Sequence, residues 1–181
     1  MHGLVHQRLK AYVVEKTGES NWDVVLDRSG IEPKLYLPVS HYPDEEVTAI
    51  VETLAAMSGH EVDAIERDFG RTLAPALLRT FRAHWREDWS FLEVLERTES
   101  IADALREKRP ENDPPKVRCS TEGGRVRVTY RSHRGHPGMA HGVLEGLARE
   151  FDATVTVSRL ETERVDGETR CVFELDGLEL E

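Results

Sequence analysis

The chain has 181 residues, room for one large domain or two small packed layers. Its 39% hydrophobic and 32% charged content suits a soluble globule and excludes a disordered chain, and a net charge of −10 argues against non-specific binding to a nucleic-acid backbone. No run approaches membrane-spanning length, and the opening Met-His-Gly-Leu-Val-His-Gln-Arg has no apolar core for export, so a cytoplasmic protein with no membrane contact is expected.

The first half reads as helices. Val5, Leu9, Tyr12 and Val13 mark one apolar face, with Gly18 as its stop. Ser20 to Arg28 is a short helix capped by Ser20, with Trp22, Val25 and Leu26 inward and Gly30 after it. Ile31 to His41 is a loop. Pro43 followed by Asp44, Glu45 and Glu46 starts a helix, because proline is tolerated in a first turn and acids suit the helix dipole there. Val47, Ile50, Val51 and Leu54 follow at helical spacing up to Gly59. Val62, Ile65 and Phe69 predict a short helix ending at Gly70, and Leu73 to Trp85 a further one with Pro75 in its first turn. Ser90-Phe91-Leu92-Glu93 has the form of a capping box, and Phe91, Val94, Leu95, Thr98, Ile101, Ala102 and Leu105 share one face of the helix after it. Glu99 lies at the edge of that stripe. The charged link from Lys108 to Pro115 holds Pro110, Pro114 and Pro115, and the expected boundary falls there, with a helical subdomain over 1–108 and an α/β subdomain over 109–181 of a single domain.

The second half mixes sheet and helix. Lys116 to Ser120 and Arg125 to Ser132 predict a hairpin around Gly123-Gly124. Gly135 to Gly138 breaks the chain. Met139 to Phe151 is a helix with Val143, Leu144, Leu147 and Phe151 inward. Thr154 to Leu160 alternates, Asp166-Gly167 signals a second hairpin, and Thr169, Cys171, Phe173 and Leu175 alternate in the last strand. The fold class is therefore α+β: a helical part packed on an antiparallel sheet with its own helices.

Arg125 to Arg134 carries the chemistry. Val126, Val128 and Tyr130 alternate with polar residues, the period of a strand with one buried face. If the strand runs on, Ser132 and Arg134 project to the same interior side. A buried guanidinium without a partner is costly, so three donors on one face suggest an anionic guest such as a carboxylate or phosphate. The alternative is a strand ending near Tyr130, with Arg134 in solvent.

Other chemistry finds little support. The chain has no phosphate-binding glycine loop, no close Cys-x-x-Cys pair, no His-Glu-x-x-His, and no evident nucleophile and base pair, so no enzyme is expected. Asp44/Glu45 and Glu161/Glu163 read as solvated charges. The eight histidines form no ligand spacing on one helix; His133 with His136, or Cys119 and Cys171 with a histidine, are the only metal arrangements to weigh, and no metal site is expected. Cys119 and Cys171 could form one disulfide, but reduced thiols suit a cytoplasmic chain.

Tyr130-Arg131-Ser132-His133-Arg134 resembles the Tyr-x-Ser-x-Arg motif of haem nitric oxide/oxygen-binding (H-NOX) domains. Further resemblances follow in order: Met-His-Gly-Leu-Val at the start, Tyr42-Pro43-Asp44-Glu45, Phe69-Gly70-Arg71, Ser90-Phe91-Leu92, Pro114-Pro115 before Arg118-Cys119, and Gly142-Val143-Leu144-Glu145-Gly146-Leu147. The resemblance runs to about Leu175. It implies that Tyr130, Ser132 and Arg134 hold the haem propionates, that Val5 and Leu9 face the distal side of a pocket between the subdomains, and that Pro115 lines its proximal side. The sequence departs from the family at the iron ligand, a histidine on the helix after the Phe-Leu signal. Counting forward from Phe91-Leu92 puts Glu99 there; counting back from Pro115 puts Ala102 there. His84 lies fifteen residues before Glu99, roughly 22 Å along a continuous helix, and is no simple replacement. A carboxylate from Glu99 would be a hard, poor substitute for imidazole on ferrous haem.

The resemblance implies a sensory domain that passes ligand state to a signalling partner: a histidine kinase, a cyclic-nucleotide enzyme or a chemotaxis protein. The departure implies that haem ligation is lost or altered, leaving a pocket that holds no cofactor or takes another amphipathic acid. The alternatives are a haem-based nitric oxide/oxygen sensor with a relocated axial ligand, His84 being the first residue to change, and a non-sensing interaction module that keeps only the fold.

Overall fold

In a computed structural model that describes residues 1–108 and 113–178, helices fill the first half and every strand follows Pro115. Helices α1 (Gly3–Thr17), α2 (Glu19–Ser29), α3 (Asp44–Ser58) and α4 (Val62–Thr80) bury most of the predicted apolar faces, but Val5 is half-buried and Val62 is exposed. Leu9, Val13, Val25, Leu26, Val47, Ile50 and Phe69 form a core joined by Met139 of the second half. At α2 the start differs from expectation: Gly18, at φ 93°, is the N-cap, and Ser20 lies inside the first turn.

The two helices expected either side of Gly70 are one, α4. Pro75 cannot donate to the Arg71 carbonyl four residues back, a break that usually ends or kinks a helix. Packing overrides it here. A Cβ on Gly70 would stand 2.3 Å from the Met139 carbonyl, and one on Gly142 would stand 2.0 Å from the Arg67 carbonyl, so the two backbones touch. Helix α6 (Pro137–Glu150), which follows the second strand in the chain, thus lies along α4, and the Arg71 carbonyl itself faces Gly146 of α6. A 3-10 turn, Arg82–His84, then leads to α5 (Phe91–Lys108). The capping box forms as expected: the Ser90 N–H donates to the Glu93 carboxylate at 2.7 Å, and the Glu93 N–H donates to the Ser90 hydroxyl at 3.3 Å.

Strands β1 (Lys116–Glu122), β2 (Arg125–Ser132), β3 (Thr156–Val165) and β4 (Glu168–Asp176) make one antiparallel sheet in the order β1-β2-β4-β3. Gly123 and Gly124 both have positive φ, the geometry of a tight hairpin turn. Val126, Val128, Tyr130 and Ser132 are buried on one face, opposite Leu175, Phe173, Cys171 and Thr169 of β4. This face, Leu144 and Ala148 of α6, and Phe91 and Leu95 of α5 form the second core. The other face carries charge: Glu174 pairs with Arg125 and Arg127. Cys119 on β1 and Cys171 on β4 are free thiols on strands separated by β2, so the disulfide weighed between them does not form. Residues 109–112 of the proline link, Pro110 among them, lie outside the described residues.

Candidate functional site

Where α4, α5, α6 and the inner sheet face meet, the side chains leave a cavity of about 360 Å³, within the range of small-molecule sites. Its walls are apolar: Leu73 and Leu77 from α4, Leu95, Ile101 and Ala102 from α5, Val143 and Leu147 from α6. Val5 and Pro115 are among its lining residues. Leu9 does not: it is fully buried in the helical core, one turn beyond Val5.

The alternation of β2 brings Tyr130 and Ser132 to the cavity, and the turn after the strand brings Arg134 to the same end. The strand stops at Ser132, yet Arg134 is not in solvent; its side chain is 14% exposed. Its Nε donates to Asp44 at 2.8 Å, and an Nη donates to the Asp113 carbonyl. These bonds use two of the five guanidinium hydrogens. The Tyr130 hydroxyl donates to the Gly135 carbonyl at 2.6 Å, and burial pushes its pKa up to about 12, so it stays a donor at neutral pH. Ser132 Oγ accepts from the Arg134 N–H at 3.1 Å, a bond that uses a lone pair and not its O–H. Asp44 also meets the Met1 ammonium, and His133 Nε2 lies 3.4 Å away. Burial would raise the Asp44 pKa, but the ammonium and Arg134 hold it below the usual range.

His133 and His136 diverge. His133 is half-exposed between Asp44 and Asp113. His136 is buried on the cavity wall with Nδ1 2.6 Å from Glu66, so the pair shares no metal. Among the described residues no group of three or more His, Cys, Asp or Glu is placed to hold an ion. His84 sits on the 3-10 turn, off the cavity. Of the two positions counted for the family's iron-ligating histidine, Ala102 is on the cavity wall. Glu99 is outside it, where it accepts from Arg118 at 2.9 Å. Sequence reasoning missed Asp44 and Glu66 as site residues: their partners lie 90 and 70 positions away, and no local pattern announces such pairs.

Apolar walls with a tyrosine, a serine and an arginine at one end suit the ring and carboxylates of a porphyrin. The α5 wall offers iron no nitrogen or sulfur.

The family described as haem-NO-binding matches residues 2–159. This chain belongs to that family. Its H-NOX fold superposes on the H-NOX domain of T. tengcongensis, in a point-mutant form, with a TM-score of 0.86 at 21% identity, covering 97% of this chain and 96% of the other. An oxygen-binding H-NOX domain related to soluble guanylate cyclases, solved as its oxygen complex, gives 0.80 at 20% identity over 97% and 94% of the two chains. A soluble guanylate cyclase of Caenorhabditis elegans is 26% identical over 171 residues, 87% of this chain. The chain spans about a quarter (24%) of that relative's length. H-NOX domains are sensor-type domains and members of the family bind haem. No described helix is long and apolar enough to cross a membrane.

Proposed function

We propose that this H-NOX domain is a sensory module whose cavity takes an amphipathic carboxylate, with the iron anchor of α5 lost. Ala102 on the cavity wall, where an imidazole would be needed, is the observation that carries this reading. Tyr130, Ser132 and Arg134 would hold the acid; Val5 and Pro115 would contact its apolar part. Haem, where it binds, would supply an iron that takes up a diatomic gas, and its propionates would meet the same three side chains. We take 1–108 and 109–181 as the two subdomains, with α5 contributing to the sheet core. A ligand touching both would favour one of their arrangements over another, which is the signal. The partner would be a cyclic-nucleotide enzyme, as in the guanylate cyclase relative, or a histidine kinase or chemotaxis protein.

The test is thermal melting and absorption of the wild type, Arg134→Lys and Arg134→Ala, each alone and with haemin or a long-chain fatty acid. We expect a ligand-induced rise in Tm for the wild type. In Arg134→Ala the ligand should lose about 1.5–3 kcal/mol, the range for hydrogen bonds to a charged group, while Arg134→Lys keeps charge without the fork. A melting shift that persists undiminished in Arg134→Ala would overturn the carboxylate contact.

A further inference from the structure

We infer that the acid this cavity takes is a single straight-chain fatty acid of about fourteen carbons, lying along α5 with its tail stopped by Trp85. This rests on the reading that the cavity holds an amphipathic carboxylate, and it adds the guest's direction, shape and length. The cavity has two unlike ends. At one, Tyr130, Ser132 and Arg134 gather beside Pro114. Arg134 donates to the Asp113 carbonyl, and Arg106, in the last turn of α5, donates to the Pro114 carbonyl at 2.9 Å. The C-terminal end of α5 therefore lies beside the three donors. At the other end the wall is Phe81 and Trp85. The Trp85 ring meets Phe151 edge-on at 6.0 Å, and Phe151 lies 6.3 Å from Phe91, the first residue of α5. The N-terminal end of α5 therefore lies beside Trp85. Thr98, between the two, donates its hydroxyl to the Val94 carbonyl at 2.9 Å and needs nothing from a guest.

Length and volume give the same guest independently. The α5 residues on the wall run from Val94 to Leu105, about 16 Å along the helix axis. Carbon bonds of about 1.5 Å at a near-tetrahedral angle advance an extended chain by about 1.25 Å per carbon, so about thirteen carbons span that length. An apolar cavity of about 150 Å³ takes the six carbons of benzene, so 360 Å³ has room for about fourteen. One extended chain thus fills the space. A two-chain lipid does not fit, and a short acid leaves apolar wall uncovered. Trp85 is held in place as the end of the run: its Nε1 donates to the Leu78 carbonyl at 2.9 Å, and the Arg82 guanidinium lies over its ring at 4.9 Å. The flanking Ala83 and Arg86 are exposed, so this ring stands between the tail and water.

The experiment titrates octanoate, decanoate, dodecanoate, tetradecanoate, hexadecanoate and octadecanoate, each below its micelle concentration, into the wild type, Trp85→Ala and Thr98→Phe. Calorimetry and thermal melting read the binding. In the wild type each added methylene should tighten it by about fourfold, the value of one buried CH₂, until the chain reaches about fourteen carbons, and no further beyond. Trp85→Ala opens the end, and the gain should continue through octadecanoate. Thr98→Phe blocks the channel about 6 Å inside Val94, and the gain should stop about five carbons sooner. Direction is read by fluorescence: ω-bromotetradecanoate should quench tryptophan more strongly than α-bromotetradecanoate, and Trp85→Ala should remove the difference. Should Trp85→Ala fail to fold, Thr98→Phe and the two bromo acids decide. Binding that depends on Arg134 but is flat in chain length would overturn the inference, and the carboxylate reading would then stand. So would a break that stays in place in both variants, or stronger quenching by the α-bromo acid. No binding of any acid would remove both.

Discussion

Asp44 meets three cationic groups: the Met1 ammonium, Arg134 and, when protonated, His133. Its carboxyl is partly buried, and its pKa lies below the value near 3.9 expected in the unfolded chain. A group depressed on folding stabilises fully above its unfolded pKa, and that contribution disappears as pH falls through the folded value. The wild type should therefore lose Tm more steeply below about pH 4 than Asp44→Asn does. At neutral pH Asp44→Asn should be less stable by about 1.5 kcal/mol, the low end for hydrogen bonds to charged groups. Melting curves from pH 7 down to pH 2.5 check this, and parallel curves would remove Asp44 from the account. The strand period made Tyr130 and Ser132 legible as buried polar residues. The position of Arg134 was legible only as a direction, because its acid comes from the start of α3, 90 residues away.

The α4–α6 crossing is where local signals and tertiary packing disagree. Glycine at 70 and proline at 75 both read as punctuation, yet α4 runs through them. The glycines that let the backbones meet, Gly70, Gly142 and Gly146, are spread over two helices, so their joint role is invisible along one of them. The capping box at Ser90 and both hairpin turns were legible because their partners lie within three residues. Gly142→Ala would place a methyl carbon 2.0 Å from the Arg67 carbonyl oxygen, and the helices would have to separate. Overpacking of this kind costs about 1–3 kcal/mol, well above the small gain alanine brings to an isolated helix. Urea unfolding of the variant measures it. A stability equal to the wild type's would mean that the crossing yields easily. The cavity, bordered by both helices, should report the same separation as weaker ligand binding.

At the scale of the molecule, the cavity exists because two cores meet without closing: the helices of the first half around Phe69, and the sheet with α5 and α6 around Phe173. α5 is the wall that would have to present an iron ligand, and its register decides which residue does so. The sequence left that register open between Glu99 and Ala102, three positions and most of a helical turn apart. The stripe Val94, Leu95, Thr98, Ile101, Ala102 and Leu105 faces the cavity, while Glu99 is exposed and its pKa is lowered by its hydrogen bond to Arg118. Ala102→His should therefore place an imidazole in the cavity. The empty protein should lose about 1–3 kcal/mol from the added bulk and from burying a polar ring. With haemin, the variant should gain a strong imidazole-type Soret band and a larger rise in Tm than the wild type. Glu99→His should gain neither, since its side chain points away from the cavity. The two variants, titrated side by side, separate the registers: a new band in Glu99→His and none in Ala102→His would mean that α5 turns by most of a helical turn when the pocket fills.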